Sequence, residues 1–89
     1  MIKHNPQDSL ALTNFQFLIP MLKEKVEKHT SLYDIEELDL CNFMFELGQA
    51  DAVVKLAERD KSSQAIAKKV VDAFQIKYKD TMKELLDRN

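Results

Sequence analysis

The sequence predicts an all-α fold, a compact bundle of three to five helices, and three observations carry that expectation. The 89 residues include one glycine, Gly48, and two prolines, Pro6 and Pro20, too few to turn an all-β chain at its corners. Apolar residues recur three and four positions apart over most of the chain, which is the helical period. The abundant Leu, Ala, Lys, Glu and Met are good helix formers.

Residues 1–8 read as a polar lead-in, and residues 9–89 as a single helical domain. Asp8 or Ser9 is expected to cap the first helix, since a short polar side chain can accept from a free N–H of the first turn. That helix is expected over about residues 10–28. Its stripe is Leu12, Phe15, Ile19, Leu22 and Val26, spaced three, four, three and four apart, so all five share one face. Phe17, Leu18 and Met21 widen the apolar side. Pro20 lies within the stripe, lacks an N–H and clashes with the Gln16 carbonyl, so a kink or break is expected there.

Ser31 and Asp34 have the spacing of a capping box and mark a second helix beginning near Leu32. That helix is expected to run on through Leu40, Cys41, Phe43, Met44, Phe45 and Leu47. Leu40 to Leu47 is apolar on nearly all sides, which predicts a central element enclosed by its neighbours. A break or bend is expected at Gly48, with a further helical stretch to about Arg59. Asp60 or Ser62 then caps a long C-terminal helix over about residues 63–87. Its stripe is Ala67, Val71, Phe74, Tyr78, Met82 and Leu85, and an unbroken helix of that length has an end that projects beyond the core.

The balance of 45% hydrophobic to 31% charged residues is that of a globular chain and argues against disorder. A net charge of −2 sets up no strong field towards nucleic acid or an acidic membrane. One cysteine, Cys41, leaves no intrachain disulfide. The first residues lack the apolar stretch of a signal peptide, and no apolar run is long enough to span a bilayer. A cytoplasmic location is the corresponding expectation.

The search for chemistry returns little. His4 and His29 lack the four-residue spacing that sets two imidazoles on one helical face, and read as solvated. Cys41 lies in the most apolar stretch, where burial would raise its pKa and suppress its reactivity. Asp34, Glu36, Glu37 and Asp39 form an acidic group around Ile35 and Leu38. It contains no central glycine of the calcium-loop kind. It reads as a helix start that complements the dipole, or as an acidic docking surface. Lys68, Lys69, Lys77, Lys79 and Lys83 make the last helix basic, but Asp72, Asp80, Glu84 and Asp87 are interleaved with them. No cofactor, metal or catalytic residue is expected.

No motif identifies a family; the size and helical character are those of many small bacterial and phage regulators. The function expected is therefore a non-catalytic adaptor or inhibitor that binds another protein through a helical apolar surface. Phe17, Met21, Phe43 and Tyr78 are the candidate exposed contacts, with Asp34, Glu36, Glu37 and Asp39 steering the approach. A homodimer would serve the same excess of apolar surface. The alternatives are a phage- or bacterium-encoded regulator, such as an anti-sigma factor or antiholin, and a helical DNA-binding transcription regulator.

Overall fold

Pro6 opens α1 (Pro6–His29), the first helix of the computed structural model, which describes residues 6–88. Proline suits a first helical position, because its missing N–H would have no partner there. Asp8 then lies in the first turn, where a carboxylate complements the helix dipole. The helix thus starts earlier than expected, and neither Asp8 nor Ser9 stands before it as a cap. Of the expected lead-in, residues 1–5 lie outside the described residues.

Of the kink or break expected at Pro20, the break does not occur. α1 is one helix of 24 residues, with Ile19 and Leu22 buried on either side of the proline. An interior proline costs ~3 kcal/mol, and burying one leucine or isoleucine contributes ~1.5–3 kcal/mol. The two core side chains therefore hold the helix through the defect. Pro20 itself is exposed, beside a hollow lined by Gln16, Lys23, Asp51 and Lys55 that is open to water.

α2 (Leu32–Glu37) opens on the expected capping box. The Ser31 hydroxyl accepts from the Asp34 N–H at 3.3 Å, and the Asp34 carboxylate accepts from the Ser31 N–H at 2.8 Å. The second helix does not continue into the central segment as expected. Asp39 adopts the left-handed conformation (φ 50°, ψ 48°), and α3 (Leu40–Arg59) begins after it. Gly48, expected to break or bend the chain, lies inside α3 without a positive φ.

A single 3-10 turn (Lys61–Ser63), capped by Asp60 through the Ser62 N–H at 3.1 Å, leads to α4 (Gln64–Lys77). The long C-terminal helix is divided: α5 (Lys79–Leu86) follows a junction at Tyr78. Tyr78 accepts and donates in the helical ladder, from Met82 and to Phe74, both at 2.9 Å. Its backbone (φ −109°, ψ 22°) nevertheless turns the chain. The turn brings Leu85 to complete burial and packs α5 on α1, so the C-terminal end does not project from the core as expected. No strand occurs among the described residues.

The core lies between α1, α3 and α4, which pack on one another pairwise. Leu12, Phe15, Ile19 and Leu22 enter it from α1, Phe43, Leu47 and Val54 from α3, and Ala67, Val71 and Phe74 from α4. Four aromatic rings form its centre. Phe15 meets Phe74 edge-on at 5.7 Å, and Phe43 lies 5.4 Å from Phe74 and 5.2 Å from Tyr78. No buried side-chain polar atom among the described residues lacks a hydrogen-bond partner.

Candidate functional site

Burial divides the four expected contact residues into two pairs. Phe17 and Met21 are exposed, at 68% and 49%. They stand four apart on the side of α1 opposite its core stripe, with Leu10 seven residues before Phe17 on the same face. Phe43 and Tyr78, expected to be exposed, are buried at 0% and 6%. The cause is the aromatic cluster: each ring covers the other, and the Tyr78 hydroxyl donates to the Glu46 carboxylate at the rim of the core. A tyrosine can bury its ring while its hydroxyl reaches a polar partner.

The central segment is not enclosed either. Leu40, Phe43 and Leu47 face the core, whereas Cys41 and Phe45, four apart on the other side of α3, are exposed. The expected burial of Cys41 is therefore incorrect. Three long helices share one core between them, so each retains an outer face that nothing among the described residues covers. On α3 that face carries Phe45 and Leu56, and on α4 it carries Ile66 and Ile76.

One part of this surface is concave. Val26 at the end of α1, Ile35 of α2, and Leu40, Cys41 and Met44 at the start of α3 line a hollow of about 190 Å³. Every lining side chain is apolar or a thiol. Pockets for drug-sized ligands run ~300–1,000 Å³ and include a few placed polar groups. The hollow is smaller than that and has none, so its chemistry suits an apolar side chain.

The acidic group adjoins the lining of this hollow in sequence, Glu36 following Ile35 and Asp39 preceding Leu40. Its four members are not equivalent. Asp34 is engaged in the fold: the Arg88 guanidinium lies 3.0 Å from its carboxylate, and the Ser31 N–H and hydroxyl reach its other oxygen. These donors, Arg88 foremost, hold the Asp34 carboxyl well below the usual carboxylate range. Asp39 accepts from the Asn42 side-chain amide at 2.8 Å. Glu36 and Glu37 are exposed and form no ion pair among the described residues. Phe17 and Met21 stand on a helix that α2 does not pack against, so no contact joins them to the acidic group.

The sequence did not mark Arg88. It sits just beyond α5 and ties three segments together, donating to the His29 carbonyl at 2.8 Å as well as to Asp34 and Glu84. Its own carbonyl accepts from the Lys25 ammonium. An arginine's forked donors suit such a junction, but nothing in the local sequence distinguishes Arg88 from a solvated side chain.

Of the basic residues, Lys68 pairs with Asp72, and Lys77 pairs with Glu46 at 3.0 Å and lies over the Tyr78 ring. His29 is half-buried at the end of α1, and His4 lies outside the described residues. Among the described residues no three His, Cys, Asp or Glu side chains cluster as metal ligands would, and no helix is long and apolar enough to cross a membrane. Comparisons with protein-family models, curated proteins and solved structures find no match to this chain.

Proposed function

We propose that this protein is a non-catalytic protein-binding module that receives an apolar side chain of a basic partner helix in the hollow between α1, α2 and α3. One observation carries the reading: a concave surface lined by Val26, Ile35, Leu40, Cys41 and Met44, with no polar side chain in its wall. The Met and Cys side chains suit it to an anchor, because soft, polarisable groups adapt their packing to varied partners. Glu36 and Glu37, exposed and without ion pairs among the described residues, favour lysine or arginine beside the anchor. Adaptor or inhibitor activity then consists of occupying a partner's helix and keeping it from its other contacts.

The test is a titration of isotope-labelled protein with an amphipathic Leu/Lys peptide and with its Leu/Glu counterpart. The basic peptide is expected to shift the resonances of Val26, Ile35, Cys41 and Met44. The acidic peptide should bind at least tenfold more weakly, and Met44→Lys should abolish binding without loss of helicity. Shifts confined to other faces, or equal binding of both peptides, would refute the reading. Sedimentation of the free protein shows whether it self-associates, and Met44→Lys should abolish any dimer that uses the hollow.

A further inference from the structure

We infer that the outer face of α3 is the seam of an antiparallel homodimer, in which the α3 helices of two copies cross at Gly48. The inference does not rest on the hollow as a binding site, although Cys41 borders both surfaces.

The face follows from spacing. Cys41, Phe45, Gly48, Ala52 and Leu56 succeed one another at intervals of three and four residues, so they form one row along the helix. All five are exposed, on the side opposite the core residues Phe43, Leu47 and Val54. The outer rows of α1 and α4 are interrupted by polar groups: exposed Asn14 stands between Leu10 and Phe17, and exposed Lys69 between Ile66 and Ala73.

Gly48 stands in the middle of the α3 row. A glycine inside a helix lowers its stability, and its uses are a positive φ or the close approach of another group to the backbone. The fold supplies neither, because Gly48 has no positive φ and a Cβ placed on it meets nothing within 4 Å. An approach from outside the fold supplies the use. With Ala52 one turn on, Gly48 leaves a shallow saddle in which a second helix axis can lie close.

Two features select a second copy as the occupant. The first is size. With a two-fold axis beside Gly48, antiparallel α3 helices set Phe45 opposite Ala52 and Cys41 opposite Leu56, a larger side chain against a smaller one at each level. The second is charge. The helix follows exposed Glu36, Glu37 and Asp39, and its last turn carries Arg59, exposed and without an ion pair among the described residues. Of the acids near that end, Glu58 accepts from Gln16, and Asp60 caps the following turn. Antiparallel pairing brings the Arg59 end of each helix to the acidic end of the other, whereas parallel pairing would oppose like charges and set Phe45 against Phe45. Such a dimer is isologous, the commonest form of assembly. One helix against one is at the small end of specific interfaces, so dilute protein is monomeric and the dimer forms reversibly as concentration rises.

Sedimentation across a concentration series, with cysteine cross-linking, tests this. The wild type should show a monomer–dimer equilibrium. Gly48→Leu, which sets a large side chain at the crossing, should weaken it by roughly tenfold or more, as expected at the centre of an interface, with helicity unchanged. Ala52→Lys should do the same, while Phe17→Lys on α1 and Ile76→Lys on α4 should leave the dimer as it is. Cross-linking reads the direction. Cys41 and Leu56 are about 22 Å apart along the helix, so the two Cys41 thiols of an antiparallel dimer cannot meet. Mild oxidation should therefore cross-link Leu56→Cys, whose new thiol faces Cys41 of the second copy, and should leave the wild type uncross-linked. Absence of a dimer up to about 1 mM overturns the inference. So does a dimer that neither Gly48→Leu nor Ala52→Lys weakens, a wild type that cross-links through Cys41, or a Leu56→Cys variant that does not cross-link.

Discussion

The rings of Phe43 and Tyr78 meet edge-on with centroids 5.2 Å apart, and the Tyr78 hydroxyl passes beyond them to the Glu46 carboxylate. This pair joins the first turn of α3 to the α4–α5 junction, so both residues belong to the stability of the fold. Phe43→Ala should cost about 3–5 kcal/mol in urea unfolding, the range for a large aromatic removed from a core. Tyr78→Phe keeps the ring and loses the hydrogen bond, with an expected cost of about 1–2 kcal/mol. Phe17→Ala, on the outer face of α1, should change stability by no more than ~0.5 kcal/mol.

Gly48 lies in the middle of α3, and a Cβ built on it meets nothing within 4 Å. Its backbone is helical, so alanine fits without strain. Gly48→Ala is expected to raise stability by about 0.5–1 kcal/mol, mainly through the reduced freedom of the unfolded chain and the better helix propensity. Thermal unfolding followed by circular dichroism checks this, and a lowered midpoint would contradict it.

Cys41 is exposed, with no disulfide partner in the chain. A thiol reagent should modify it in native buffer at a rate close to that of the urea-unfolded protein. Protection of a hundredfold or more would place the side chain inside the fold, contrary to its position on α3.

The Asp34 carboxyl has a pKa below its ordinary value, because Arg88 and the Ser31 N–H and hydroxyl favour the ionised form. A carboxyl shifted in this direction contributes stability that is fully present above its unfolded pKa of ~3.9 and is lost as pH falls through its folded value. The urea midpoint of the wild type should therefore exceed that of Asp34→Asn at pH 7 by an amount that stays constant down to about pH 4. Below that the difference should shrink. A difference that grows on acidification would show the opposite sign and contradict a stabilising role for the ionised Asp34 carboxylate.

The one-sided stripe of α1 was legible from spacing alone, because Leu12, Phe15, Ile19 and Leu22 follow the helical period and each reaches the core. The Ser31–Asp34 capping box was legible for a similar reason: its bonds are local and need only two residues three apart. The interruptions were not. Pro20 and Gly48 signal breaks by local propensity, but core packing on either side carries both helices through. Asp39 and Tyr78 carry no breaker signal, yet the chain turns at both, because the turns seat Leu40 and Leu85 in the core. The acidic group was visible as a cluster, whereas the hollow beside it depends on three helices meeting, and the Arg88 bonds span more than fifty residues of sequence.

The outer faces of α1, α3 and α4 also set the colloidal behaviour of the protein. Phe17, Phe45 and Ile76 are each more than 60% exposed and point away from the core, so they are open to contact with a second molecule. A net charge of −2 provides little long-range repulsion to keep them apart, and near the isoelectric pH of about 5.6 it provides none. Attraction between molecules in solution should therefore strengthen as the pH falls from neutrality towards that value. Added salt, by screening what repulsion remains, should bring the same attraction out at neutral pH.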